Sequence, residues 1–278
     1  MGTDIRLSRR LTAIAEMVGI CRQESGRIRQ EEPAGPEQTA CYCLCDVGTD
    51  HAHIPIKLLL DGTITSSIAM DVIEGPLEKA RQNIELYGVE DSVDLRLSDG
   101  LDAYQSGEAD GLVIAGMGGR IMSRILLREP DKSRNFEELV LQPQADPDHV
   151  RRAVRMLGLF PDREKIVLED GKYYPVMHIV HERGERPDWS LLGFDPEDAP
   201  AQAFLREVED EFGPVLLAQK DRMLYRYLLW RKGVNDRISG SLALAADLRS
   251  EALADKKKQV ERTDRMIRTA LEYFDKQY

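Results

Sequence analysis

The sequence predicts an α/β domain built on a mainly parallel sheet, followed by a helical domain. Three observations carry this expectation. Between residues 41 and 180, apolar runs of strand length alternate with amphipathic helical stretches. The runs are continuous rather than alternating, as strands covered on both faces require. After Arg186-Pro187 the strand signals stop, and long stretches rich in Ala, Leu, Lys, Arg and Glu begin. The two domains are expected at 1–190 and 191–278.

The elements follow in order. From Arg6 to Val18, the residues Leu7, Leu11, Ile14 and Val18 share one helical face. Charges within this stretch mark an amphipathic helix rather than a signal peptide. Residues 21–40, CRQESGRIRQEEPAGPEQTA, are polar with two prolines and two glycines, and read as a loop insertion. CYCLCDVG is the first strand, and HIPIKLLL is helical once past Pro55. TITSSIAMD is the second strand, running into an acid. GPLEKARQNIELYG is a helix with Pro near its start and Gly88 just past its end. SVDLRLSDG, DGLVIAGMGG and FEELVLQPQ are further strands, separated from the fourth strand on by the helices GRIMSRILLRE and DPDHVRRAVRMLG. FPDREKIVLEDGKYYPVMHIVHE gives two more strands about a turn at Asp170-Gly171, an antiparallel addition that brings the total to seven. Beyond them, VLLAQKDRMLYRYLLWRK and SLALAADLRSEALADKKKQVERTDRMIRTALEYF predict a helical hairpin or coiled coil. Its turn is expected near Gly233, with Gly240 kinking or delaying the second helix.

A net charge of −11 argues mildly against a nucleic-acid partner, because phosphate contacts call for Lys and Arg. Local basic patches exist at Arg6, Arg9 and Arg10, at Arg120, Arg124 and Arg128, at Arg151, Arg152 and Arg155, and between Lys220 and Arg237. By default these are solvated helix faces. No run approaches the roughly 18 apolar residues of a membrane span, so the expected compartment is the cytoplasm. The four cysteines do not form a disulfide framework.

In open α/β sheets the ligand sits at the carboxyl ends of the strands. Those ends deliver Asp46-Val-Gly48-Thr-Asp50-His51, then Asp71, then Asp99-Gly100, then Gly116-Met117-Gly118-Gly119, then Gln142-Pro143-Gln144. The G-x-G-x-x-G cradle for a pyrophosphate is missing. The acids repel phosphate and suit a cationic ligand without one. S-adenosyl-L-methionine fits, with its ammonium, sulfonium and ribose diol. Asp46 and Asp50 then shape and charge its methionine end, Gly48 lets the backbone approach it, and His51 is a further cofactor contact or fixes the loop. Asp71 accepts from the ribose hydroxyls, and Asp99-Gly100 meets the adenine. The Gly116–Gly119 loop permits close backbone approach. The run CYCLC also raises the question of a metal. Cys41, Cys43 and Cys45 would line one side of a strand, whereas zinc favours C-x-x-C turns that wrap an ion. They read as small core hydrophobes, and no metal is expected.

The stretches DVGTDHAHIP at 46–55, DVIEGPLEKA at 71–80, SDGL at 98–101, IAGMGG at 114–119 and LVLQPQ at 139–144 resemble the bacterial tRNA (adenine-22-N1)-methyltransferases, called TrmK. RLSRRLTAIAEMV is similar to that family's opening helix. The resemblance spans the chain except the 21–40 insertion and is weakest in the C-terminal helices. It implies a class I S-adenosylmethionine-dependent methyltransferase, Rossmann-like with a mainly parallel seven-stranded sheet and a C-terminal helical coiled-coil domain, acting on an adenine in tRNA. Two residues depart from the family pattern. His53 stands where the family usually has Tyr, and Gln144 where it usually has Asn. Both belong with the target base, so His53, Gln142, Pro143 and Gln144 are candidate substrate contacts. Arg6 and Arg9, with Lys220, Arg222 and Arg226 on the C-terminal helices, are candidate RNA contacts. Asp50 and His53 are the candidate catalytic pair. The other readings are a methyltransferase for another RNA base or a small molecule, a catalytically idle RNA-binding protein of the same fold, and a zinc module built on the cysteines. No obligatory protein partner is evident.

Overall fold

The computed structural model describes residues 5–21, 41–244 and 251–276. The polar insertion expected at 21–40 lies, from residue 22 on, outside the described residues. The chain divides into two compact units, Met1–Gly184 and Glu185–Tyr278.

The first unit is organised by one sheet. Its strands are β1 (Cys43–Val47), β2 (Ser66–Asp71), β3 (Val93–Leu97), β4 (Gly111–Met117), β5 (Glu138–Pro143), β6 (Phe160–Glu169) and β7 (Lys172–Val180). Their spatial order is β3-β2-β1-β4-β5-β7-β6. The strands β1 to β5 pair in parallel, while β7 runs antiparallel to β5 and to β6. The order reverses between β1 and β4, which opens a crevice at their carboxyl ends.

Helices cover both faces, and this explains the continuous apolar strands. On one side α1 (Arg9–Ala15) and α2 (His53–Leu60) bury Ile14, Ile54 and Leu58 against Leu44, Val113 and Val140. On the other, α4 (Gly119–Arg128) and α6 (Pro147–Met156) bury Met122, Leu126, Val150 and Val154 against Cys45, Leu112, Ile114, Leu139 and Leu141. Adjacent residues of β1 and β4 thus enter opposite cores, so their apolar runs are continuous, interrupted in β1 only by Asp46. Cys45 is fully buried and Cys43 packs against the same core. Cys41 is exposed and precedes the strand rather than filling it. Among the described residues the unit also holds the helices α3 (Glu74–Tyr87) and α5 (Pro130–Asn135), and Gly88 ends α3 in the left-handed conformation as its sequence position requires. Asp170 and Gly171 both take positive φ, at 48° and 73°, between the paired residues Glu169 and Lys172. That is the two-residue hairpin turn whose twist matches the flanking strands.

Two local expectations need correction. The helix α2 begins at His53, not after Pro55. Proline is harmless there, because N–H groups of a first turn have no intrahelical acceptor. Arg151 is not on a solvated face. It is 4% exposed, and its Nε donates to Glu164 Oε1 at 2.7 Å.

The second unit holds α7 (Ala199–Phe212), α8 (Pro214–Ala218), α9 (Arg222–Leu244) and α10 (Glu251–Asp275). The last two pack antiparallel. Tyr225 meets Phe274 with ring centroids 5.5 Å apart, and the buried Asn235 donates to Val260 O at 3.2 Å. The turn is not near Gly233. Both Gly233 and Gly240 lie within α9, with nothing within 4 Å of an added Cβ, and residues 245–250, between α9 and α10, lie outside the described residues. A glycine in a helix costs only about 1 kcal/mol relative to alanine, which packing of the flanking turns outweighs. Among the described residues, no helix is long and apolar enough to cross a membrane.

One close approach fixes the crevice wall. Gly119 N donates to Ala145 O at 2.8 Å, and a Cβ on Gly119 would lie 2.1 Å from Asp146 O. Backbone cannot yield as a side chain can. A Gly119→Ala variant should therefore lose about 3 kcal/mol, seen as a drop in Tm of several degrees by calorimetry. The neighbouring Gly118→Ala, with open space around it and φ of −67°, should leave Tm unchanged. Equal Tm values for the two variants would contradict this account.

Candidate active site

The loop after β1 is built from unusual backbone. Gly48 takes φ of 79°, Asp50 of 51° and Ala52 of 56°. Two non-glycine residues in the left-handed region within three positions store strain, which must be held by neighbours. Those neighbours are present. Gly48 N and Thr49 N both donate to Met70 O, at 2.8 and 3.0 Å. Asp71 Oδ2 accepts from Asp50 N at 3.4 Å, and Asn83 Nδ2 donates to His51 O at 2.9 Å. At Gly48 the φ of 79° excludes most side chains, and a Cβ would also displace the tip of Met117, 2.8 Å away.

This loop, α1 and the end of β4 enclose a cavity of about 200 Å³, lined by Arg10, Asp46, Thr49, Asp50, His51, His53, Gly116 and Gln144 among others. Asp46 lies at its buried base and accepts the Thr49 hydroxyl at 2.6 Å. Burial pushes the Asp46 carboxyl up to about 7, with the Thr49 hydrogen bond opposing and the Asp71 charge adding. A cationic group near Asp46 would favour its charged form. His51 and His53 stack with ring centroids 5.3 Å apart and planes 13° from parallel. His51 Nε2 is 3.5 Å from Asp50 Oδ1. Burial, then the neighbouring His51, lowers the His53 pKa despite the opposing charge of Asp50. His53 is therefore a neutral ring near pH 7.

Asp71 and Asp99 stand outside the cavity, on an open ledge. Asp71 Oδ1 accepts from Ile73 N at 3.0 Å, and Arg128 Nη1 donates to Asp99 Oδ2 at 2.8 Å. Apolar side chains rim the ledge: Val72 and Ile73 are each 60% exposed, and Leu97 55%. Gly100 takes φ of 63° beneath it, in contact with Ile125. In the glycine-rich loop, Met117 packs into the core, Gly118 precedes the first turn of α4, and Gly116 is exposed at the cavity.

Several residues stand elsewhere than the sequence places them. Gln142 and Pro143 are buried within β5 and do not reach the cavity; Gln144 does. Gln142 Oε1 accepts from Arg10 Nη1 at 2.7 Å and from Gly116 N at 3.3 Å, so it frames the wall. Arg6 and Arg9 are exposed and do not line the cavity. Arg10, read only as part of a basic patch, is the arginine that enters it. A helix turns 100° per residue, so neighbours in the run Arg9-Arg10 face different ways. The partner that selects Arg10 lies 132 residues away at Gln142, which no local signal marks. In the second unit Arg222 and Arg226 are exposed on α9. Lys220 donates to Lys276 O and lies 5.4 Å from the Tyr273 ring centroid.

Comparison with known proteins gives the family. A family described as a methyltransferase domain matches residues 37–177. The tRNA (adenine(22)-N(1))-methyltransferase of Bacillus subtilis (strain 168) is 32% identical over 188 residues, which cover 66% of this chain and 68% of that protein. The crystal structure of the B. subtilis m1A22 tRNA methyltransferase TrmK superposes with a TM-score of 0.74 at 24% identity, covering 96% of this chain and 99% of that one, a likeness of fold. A Streptococcus pneumoniae protein, Sp1610, solved in complex with S-adenosyl-L-methionine, superposes with a TM-score of 0.67 at 25% identity, covering 96% and 100%. By its matched domain and by its identity to the curated relative, the chain belongs to the tRNA (adenine(22)-N(1))-methyltransferase family.

Proposed function

We propose that this protein transfers a methyl group from S-adenosyl-L-methionine to N1 of adenine 22 in tRNA. The observation that carries the reading is the acidic ladder at the switch point. Asp46 and Asp50 line a small cavity, Asp71 and Asp99 stand on an adjoining apolar ledge, and no glycine-rich phosphate cradle is present. The residues fit this methyl donor. A cavity of about 200 Å³ suits an amino-acid end rather than a whole nucleoside. Asp46 and Asp50 supply negative charge for its cationic groups. The ledge offers Asp71 to a ribose diol, with Val72, Ile73 and Leu97 beside an adenine face. When bound, the cofactor supplies an electrophilic methyl group, and methyl transfer calls for no metal.

The remaining work falls to this chain's own side chains. Adenine N1 is a neutral nucleophile, so holding it in line contributes more than activating it. The stacked His51 and His53 give an aromatic surface at the cavity mouth, suited to an unstacked base. Methylation leaves a positive charge on the adenine, which the Asp50 carboxylate offsets. His53, neutral at pH 7, is the acceptor for the proton lost from the adenine amino group. Gln144 completes the wall opposite. On the second unit, exposed Arg222, Arg226 and Arg237 share α9 with exposed Tyr225 and Trp230, a mixture suited to phosphates and unpaired bases. A tRNA-modifying enzyme of this kind works in the cytoplasm.

Unmodified tRNA incubated with labelled cofactor should acquire one methyl group, mapping to N1 of adenine 22. Asp50→Ala and His53→Gln should each lower kcat by roughly 10²-fold or more, with cofactor Kd little changed in His53→Gln and weakened in Asp50→Ala. No incorporation into any tRNA, or full turnover by both variants, sinks the reading.

Asp46 gives a pH-dependent expectation. An acid whose folded pKa is raised from 3.8 to about 7 opposes folding when ionised. Its cost is absent below pH 4, grows as pH rises between 4 and 7, and then levels at a few kcal/mol. Asp46→Asn should therefore gain stability over wild type at pH 8 but not at pH 4, in paired thermal melts, while binding the cofactor more weakly by calorimetry. Parallel stability curves would contradict the assignment.

For the second unit, the slope of log K for tRNA against log salt should shrink by about 1.5 in the double variant Arg222→Gln/Arg226→Gln. An unchanged slope would remove α9 from the RNA interface.

A further inference from the structure

At the opposite end of β5 from the cavity, the fold gathers three residues that the methyl-transfer chemistry does not use. Glu138 opens β5, at the amino ends of the parallel strands. His178 lies beside it on β7, across from Val140. Cys21 arrives from the segment after α1, and its sulfur lies with a Glu138 oxygen and a His178 ring nitrogen within 4.8 Å of one another. We propose that Cys21, Glu138 and His178 form a site for a divalent, borderline-soft transition-metal ion of the zinc class, which pins the segment after α1 to β5 and β7.

Four features support this. The first is the donor set. One thiol, one imidazole and one carboxylate are the groups that zinc takes, and their ligand atoms are gathered within 4.8 Å of one another. With bonds of about 2.0–2.3 Å, the ligand atoms of a tetrahedral site lie roughly 3.3–3.7 Å apart. His178 Nε2 and Glu138 Oε2 are 2.8 Å apart, so an ion in place of the proton between them widens the pair by less than an ångström.

The second is orientation. His178 Nδ1 faces Asp162 Oδ1 at 2.5 Å. A carboxylate on the far nitrogen fixes the tautomer, and so leaves Nε2 to face Glu138 and the sulfur. This is the arrangement by which metal-binding histidines are held.

The third is charge. Two carboxylates and a thiol surround one imidazole. The His178 and Glu138 side chains are 0% and 1% exposed, and that of Asp162 23%. Arg163, at 3.9 Å from Asp162, is at the outer side. A divalent ion bound here takes the place of the imidazole proton and the thiol proton, so it enters this buried group without changing the net charge. The fourth is preorganisation. Glu138 is already held by Tyr42 Oη and Gly19 N, each donating to Oε1 at 2.5 Å, and by Cys21 N donating to Oε2 at 3.3 Å. Its position does not depend on the ion. The backbone bond from Cys21 also anchors the residue that brings the thiol.

This site is separate from the CYCLC run and uses none of its three cysteines. It leaves the methyl-transfer reading intact, since its failure would not touch the cavity.

Cobalt is the probe, because a thiolate bound to Co²⁺ gives a near-ultraviolet charge-transfer band that carboxylates and imidazoles do not. The full-length protein, stripped with chelator, should bind one Co²⁺ with this band and visible tetrahedral bands. Zn²⁺ should displace it and raise Tm. Cys21→Ser should lose the charge-transfer band, and His178→Gln should bind at least 10-fold more weakly. Asp162→Asn, which removes only the orienting carboxylate, should weaken binding 10- to 100-fold. The triple variant Cys41→Ser/Cys43→Ser/Cys45→Ala should keep the band. A band that survives Cys21→Ser, a band lost in the triple variant while circular dichroism shows it folded, or the lack of any stoichiometric ion in wild type would each overturn the proposal. In the last case His178 holds a proton where the ion is placed.

Discussion

The carbonyl of Met70 is the point on which the active site turns. It sits at the end of β2 and receives two amides from the loop after β1, those of Gly48 and Thr49. These bonds continue the parallel pairing of β1 with β2 past the end of the strand. They hold a loop whose next residues, Asp50 and Ala52, occupy backbone conformations that cost free energy. Released from Met70, the loop has little reason to keep them. Held there, it turns Asp50, His51 and His53 toward one cavity while Asp46 remains at its base. The strand order makes this possible. Because the sheet reverses between β1 and β4, the helices that follow these strands lie on opposite faces and leave the crevice open.

The site concentrates negative charge in a place that folding alone would not favour. Asp46 is buried with one hydroxyl partner and the charge of Asp71 nearby, and it titrates near neutrality for that reason. A core built only for stability would place an apolar residue here. The arrangement makes sense when a cation is part of the bound state, since the cation then offsets the cost that the empty site carries. The same logic separates this fold from its phosphate-binding relatives. There, glycine amides at a helix start meet an anion; here, in the proposed reading, the Asp46 and Asp50 carboxylates at the end of β1 meet a cation. At the other end of β5, Glu138, Asp162 and His178 present a second concentration of buried charge with a different answer.

Much of the architecture is legible from local pattern. The seven strands and the helices that cover them follow from apolar runs bounded by Asp, Gly and Pro. The hairpin at Asp170-Gly171 and the cap at Gly88 follow from residues that tolerate positive φ. The failures are equally local in origin. The turn expected at Gly233 is absent because packing around Leu224, Leu228 and Asn235 sustains a helix through a weak helix former. Arg151 looked solvated because its partner Glu164 is on another element, and a charge run by itself does not show which member is buried.

The sequence by itself determined the sheet, the order of chemistry along the strand ends, and the family to which those motifs belong. These depend on near neighbours: a strand and the loop after it are consecutive, so Asp46 through His53 can be read as a unit. The tertiary structure alone decided which arginine of α1 enters the cavity, that Gln142 frames the wall while Gln144 reaches past it, and that Cys21 meets Glu138 and His178. Each of these pairings joins residues from about 40 to more than 130 positions apart. Side-chain direction at such range is set by the register and packing of whole elements, and no short stretch of sequence carries that information.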